Sequence, residues 1–103
     1  MIHRLRIHKL AQAELKAIFR HISTEAGPVT ASQYVGRIYA QIQDLATFPE
    51  RGTIREGAVP GLRIIGYRRT ASIAFVVEGD QVTILGVFRR GQNVTSEMLK
   101  KRI

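Results

Sequence analysis

Residues 81–88 read Gln-Val-Thr-Ile-Leu-Gly-Val-Phe, a strand whose two faces are both nearly apolar. On strict alternation Val82, Ile84 and Gly86 share one face, and Thr83, Leu85 and Val87 share the other. Such a strand belongs inside a sheet, covered on one side and on at least part of the second. The rest of the chain has to supply those covers.

Two helical stripes provide the first. Ala11, Leu15, Ile18, Phe19 and Ile22 recur at three and four residues, which predicts a helix over 11–24 with Glu14 in its first turn, complementing the helix dipole. Ala31, Val35, Ile38, Ile42, Leu45 and Phe48 repeat the pattern and predict a second helix over 28–48, flanked by Tyr34 and Tyr39. Gly27-Pro28 divides them, because glycine accepts a left-handed cap and proline suits a first helical position. So short a connection makes the helices antiparallel neighbours.

Period-two patterning marks the strands. Residues 2–7 alternate Leu5 and Ile7 with Arg4, Arg6 and His8, as a half-buried strand does. Residues 51–60 hold Gly52, Gly57 and Pro60 with little apolar content and read as a loop. Strands follow at 62–66, 72–77 and 81–88, the last two joined through Glu78-Gly79-Asp80. Residues 95–103 read as a tail or short helix with Met98 and Leu99 as packing groups. The expected fold is one α+β domain over 1–103: an N-terminal strand, an antiparallel helix hairpin and a three-stranded antiparallel meander. Both helices share one face of the sheet, since neither layer can bury its apolar side alone.

Composition narrows the chemistry. Cysteine is absent, which removes disulfides, thiolate catalysis and cysteine–zinc sites. His3, His8 and His21 have no metal-ligand spacing, so neither metal nor cofactor is expected. No apolar run approaches a membrane span or a secretion signal, which makes a cytoplasmic protein without membrane contact the expectation. The formal charge of +8 attracts anionic partners without selecting among them. Arginines gather where the strands end: Arg63, Arg68 and Arg69 near the first hairpin, Arg89 and Arg90 after the last strand.

This order and these motifs resemble the ParE/RelE superfamily of bacterial toxins. The resemblance rests on Ala13-Glu14-Leu15, the helical run 38–45, Phe48-Pro49 with Gly52, Gly61-Leu62-Arg63, the hairpin 73–85 and Val87-Phe88. It implies the toxin of a type II toxin–antitoxin pair, neutralised in a hetero-oligomeric complex by a cognate antitoxin. It also implies one of two targets: DNA gyrase, as for ParE-like members, or messenger RNA on the ribosome, as for RelE-like endoribonucleases. A nuclease needs proton-transfer groups as well as cations around the phosphate. Here residues 82–103 contain neither His nor Tyr, and Arg89-Arg90 stands where related chains often carry His or Tyr beside glycine.

The ParE-like reading is therefore favoured: a gyrase inhibitor working by surface complementarity, with Arg63, Arg68, Arg69, Arg89 and Arg90 as target-binding residues. In the nuclease alternative Arg63, Tyr67 and Arg89 would be catalytic. A third reading keeps antitoxin binding as the sole activity. Tyr34, Tyr39, Met98 and Leu99 are the candidates for antitoxin contact, although tyrosines flanking a helix stripe also suit the edge of a core. Arg89 is expected to be more exposed than Arg90 if Ile84 and Gly86 both pack against the helices.

Overall fold

The alternating N-terminal run forms a strand, β1 (Arg4–Ile7). In the computed structural model, which describes residues 2–92 and 94–103, it leads into α1 (Lys9–Ala26), α2 (Pro28–Asp44), β2 (Thr53–Ile54), β3 (Arg63–Tyr67), β4 (Ala71–Glu78), β5 (Gln81–Arg89) and α3 (Ser96–Lys100). The strands form one sheet in the order β1-β5-β4-β3-β2. Strands β3, β4 and β5 are the expected antiparallel meander. On one side β1 pairs parallel to β5, with Leu5 opposite Val82 and Ile7 opposite Ile84. On the other, β2 extends the sheet from within the glycine-rich stretch read as a loop. Both of its residues are exposed, so no apolar alternation announced it.

The apolar strand β5 does occupy an interior position, and each of its faces meets a core. Leu15, Ile18, Ile38 and Ile42 from the helices pack on Ile73, Phe75, Val82 and Ile84. On the opposite face Val59, Leu62 and Leu99 cover Ala74, Val76, Leu85 and Phe88. Truncating a side chain as buried as Leu15 to alanine typically costs about 2–5 kcal/mol.

Gly27 joins the helices at φ 92° and donates its amide to Ser23 O at 2.9 Å, and Pro28 opens α2 as its first residue. The second helix stops earlier than its stripe suggests. Residues 45–47 form a turn that carries Ala46 O to His3 N at 2.7 Å. This swings Phe48 off the buried face, and its side chain is 66% exposed rather than part of the core. The C-terminal stretch is a short helix, capped by Thr95 Oγ1 accepting from Met98 N at 3.2 Å.

Strict alternation fails in the middle of β5. Ala74 pairs with Gly86 and Phe75 with Ile84, leaving Leu85 as the extra residue of a bulge. Leu85 therefore joins Phe88 in the second core, while Val87 joins Ile84 on the helix side. Strand β1 ends at Ile7, so the outer edge of β5 beyond Ile84 has no neighbouring strand to satisfy it. Two side chains do so. Glu14 Oε1 accepts from Val87 N at 3.1 Å, and Arg102 Nη1 donates to Leu85 O at 2.9 Å. The same groups form a two-point ion pair, Arg102 Nη1 to Glu14 Oε1 at 2.8 Å and Nη2 to Oε2 at 3.0 Å. Glu14 lies beyond the first turn of α1, because the helix starts at Lys9; it acts as an ion-pair partner rather than as a complement to the helix dipole. Gly86 makes room: a Cβ there would stand 2.5 Å from the Phe88 ring and 2.8 Å from Arg102 Nη1.

His8 caps α1 by accepting from Leu10 N through Nδ1 at 3.1 Å, which requires that nitrogen to be unprotonated. Partial burial, then the charges of Arg102, Arg6 and Lys9, hold its pKa below the ordinary 6.5, against a smaller opposing pull from Glu14. The unfolded chain thus binds this proton more readily, and the contribution of His8 to stability is present above 6.5 and lost as pH falls through the lower folded value.

Two measurements check this account. Glu14→Ala and Arg102→Ala should each lower unfolding free energy by about 3 kcal/mol, with the double variant costing little more than either alone, by urea denaturation. His8→Asn keeps a capping side chain without the titration, so the fall of its thermal midpoint between pH 7 and pH 5 should be shallower than that of the wild type.

Candidate functional site

Arg89 and Arg90 end β5 beside the β3–β4 hairpin, which turns through Arg68 and Arg69. Thr70 N donates to Tyr67 O at 2.9 Å, closing a β-turn over Arg68 and Arg69, and Thr70 completes the three-residue connection before Ala71 pairs with Tyr67. Both central residues are left-handed, Arg68 at φ 48° and Arg69 at φ 60°, the geometry of a type I′ turn. Asn-Gly is the favoured pair for that turn, and a left-handed backbone at a residue bearing a side chain costs about 1–2 kcal/mol. Arg90 N donates to Thr70 O at 2.8 Å, which locks the turn to the end of β5.

Two open cavities flank this corner. One, of about 440 Å³, is lined by Arg55, Ile64, Ser72, Phe88, Gln92 and Val94, on the face away from the helices. The other, of about 340 Å³, is lined by Ile22, Tyr34 and Thr70 on the helix side. Arg69, Arg89 and Arg90 line both. Among the described residues neither cavity is lined by His, Asp or Glu. None of the arginines at this corner takes part in an ion pair among the described residues, where Arg4–Asp80 and Arg102–Glu14 are the pairs present.

The structure brings together four of the five expected target-binding arginines and separates the fifth. Arg63 opens β3 opposite Phe75, while the turn follows Tyr67, four residues or about 13 Å further along. Its Nη1 reaches Arg51 O at 3.5 Å. The bulge also reverses the expected order of Arg89 and Arg90. By shifting the alternation after Leu85 it sends Arg89 to the helix-side face with Val87, where it is half-buried, and leaves Arg90 exposed.

The tyrosines change places too. Tyr67 is 6% exposed, with its hydroxyl buried and without a hydrogen-bond partner among the described residues; Arg68 lies 5.7 Å from its ring centroid. Tyr34, expected at a partner interface, stands beside the arginines. Its hydroxyl shares a 2.6 Å hydrogen bond with Thr70 Oγ1, and its ring meets Tyr67 edge-on at 5.6 Å. Tyr39 is exposed on α2, whereas Met98 is half-buried and Leu99 is 1% exposed in the core on the other side of the sheet. The four residues assigned to antitoxin contact therefore do not form one surface, and Leu99 is occupied in the chain's own interior. Alternation alone could not separate them, because it says nothing of which layer the tail covers. Arg55, Thr70 and Gln92 escaped sequence reading, as each lies in a connection without periodic pattern.

No group of three or more metal-ligating side chains occurs among the described residues, and no helix among them is long and apolar enough to cross a membrane.

A model of the ParE toxin of the type II toxin–antitoxin system parDE matches residues 5–94. The chain belongs to the ParE toxin family. It is 27% identical over 88 residues to toxin ParE3 of Caulobacter vibrioides, covering 85% of this chain and 87% of that one. A solved structure of the chromosomal ParDE system of P. aeruginosa matches with a TM-score of 0.74 and 31% identity, over 85% of this chain and 96% of that one. The fold is also that of a free, doubly substituted E. coli RelE, with a TM-score of 0.65 at 11% identity over 99% of this chain and 94% of the other. The ParE and RelE likenesses thus agree on architecture, and the α+β arrangement expected from sequence is the one observed.

Tyr34→Phe isolates the tie across the arginine corner. It should lower unfolding free energy by about 1 kcal/mol, by chemical denaturation, because Thr70 keeps its bond to Tyr67 O at 3.1 Å.

Proposed function

We propose that this ParE-family chain inhibits DNA gyrase by binding through the Arg68, Arg69, Arg89 and Arg90 corner, and that a cognate antitoxin neutralises it in a hetero-oligomeric complex. The observation that carries the choice of target is the chemistry of that corner. It offers guanidinium groups, which match anionic oxygens in planar, two-point fashion, but lacks an evident acid–base pair. Tyr67 is buried and, among the described residues, neither flanking cavity is lined by His, Asp or Glu. A surface of this kind binds; it is poorly equipped to move protons.

One observation favours the ribosome-dependent endoribonuclease as a second reading. The Tyr34 phenol lines a cavity with Arg69, Arg89 and Arg90, so a proton-carrying group does adjoin the cations. Its hydroxyl is engaged with Thr70, which weighs against a free catalytic role.

Purified protein should inhibit supercoiling by gyrase and leave ribosome-bound message intact; cleaved message with normal supercoiling would transfer the chain to the nuclease reading. Arg90→Ala should weaken gyrase inhibition at least about tenfold while changing stability by less than about 0.5 kcal/mol, as exposed charges do. Tyr34→Phe should retain inhibition, whereas a nuclease relying on that phenol would lose activity.

A further inference from the structure

The Arg68-Arg69 turn keeps bulky, charged residues at two left-handed positions that asparagine and glycine fill with less strain. Strained backbone of this kind clusters at functional sites, where the side chains it presents are used. The turn does not stand alone. The Arg90 N–H to Thr70 O bond sets it against the end of β5, and Arg69, Arg89 and Arg90 wall the cavities on both sides of the sheet. The positive charge is therefore a ridge across the sheet end rather than the lining of one enclosed pocket, a shape suited to an extended polyanion.

The nearby aromatic groups narrow the class. Proteins that grip single-stranded RNA or DNA offer exposed rings on which bases stack. Here Phe88 is 5% and Tyr67 6% exposed, and the Tyr34 ring, half-buried where it lines the helix-side cavity, is packed edge-on against Tyr67 with its hydroxyl tied to Thr70. Guanidiniums without a stacking platform read backbone phosphates, the mode of sequence-independent contact with duplex DNA. We propose that Arg68, Arg69, Arg89 and Arg90 form a binding ridge for the phosphate backbone of duplex DNA, so that the chain touches DNA directly as well as the gyrase that holds it. This rests on the gyrase reading and adds a second partner to the same corner.

The test uses a fluorescein-labelled 20-base-pair duplex of mixed sequence and the full chain, followed by anisotropy from 50 to 200 mM salt. Log affinity should fall against log salt with a slope of about −3 to −4, as for release of counterions from three or four phosphates. The Arg68→Asn/Arg69→Gly variant should melt at a higher temperature, because its turn is relieved, yet bind the duplex about tenfold more weakly with a slope shallower by about two. Arg90→Ala should remove about one more. Lys9→Ala/Lys16→Ala, which removes the same charge from exposed positions on α1, should leave the slope unchanged. Equal slopes for the two double variants would overturn the ridge, as would tighter binding of a 20-nucleotide poly-U RNA than of the duplex. Supercoiling inhibition by a wild-type chain that fails to bind the duplex overturns the DNA contact alone. Duplex binding without any effect on supercoiling supports the ridge and removes the gyrase reading.

Discussion

The ion pair between Glu14 and Arg102 ties the first helix, the edge of β5 and the C-terminal segment together. Strand β5 carries both cores, yet its outer edge loses its neighbour where β1 gives way to α1. Left alone, Leu85 O and Val87 N would be a half-buried acceptor and donor without partners, each costing roughly 1–3 kcal/mol. Glu14 reaches the amide and Arg102 the carbonyl, and the charges then satisfy one another. Arg102 also lies 5.4 Å from the Phe88 ring centroid, so the guanidinium covers the second core as well. Helix layer, sheet edge and C-terminal segment meet at one guanidinium–carboxylate contact.

What the sequence disclosed followed from periodicity. The apolar character of residues 82–88 required covers on both sides, and the structure has both. The helix stripes at Ala11–Ile22 and Ala31–Leu45 located the first cover, and Gly27-Pro28 its bend. What stayed hidden involved singular events rather than repeats. A bulge adds one residue without leaving a compositional mark, and it reversed the facing of Arg89 and Arg90. Glu14 looked like an ordinary helical carboxylate because its partner lies 88 residues away. Strand β2 has no buried residue to betray it. Of the arginine corner, Arg68, Arg69, Arg89 and Arg90 were legible as neighbours because hairpin pairing returns them to one end of the sheet. Arg63 is close to the hairpin in sequence, but an extended strand carries it four residues from the tip.

The corner and the ion pair divide the labour of charge in a strongly basic chain. Arg102 is nearly buried and fully engaged, with donors to a carboxylate and a carbonyl; its role is structural. Arg69 and Arg90 are exposed, held in place through backbone bonds and strand pairing rather than through their own side chains, and so remain available to a partner. The backbone of the type I′ turn, and not side-chain pairing, sets where those guanidiniums stand. A surface built this way resists deformation while keeping its charges uncompensated.

The pairing of β1 with β5 has a consequence for how the chain is made. Leu5 must wait for Val82, and Arg4 for Asp80, 76 residues later. The contacts between α1 and α2 are local in sequence, so the helix hairpin can form while the rest is still being synthesised. Translation at about 5–20 residues per second then leaves its apolar face without a complete β5 for roughly 2–9 seconds, the time from Asp44 to Arg89. During that interval the nascent chain shows α1 and α2 to its surroundings with Leu15, Ile38 and Ile42 bare. Order of synthesis, and not only final packing, thus determines which apolar surface other proteins encounter first.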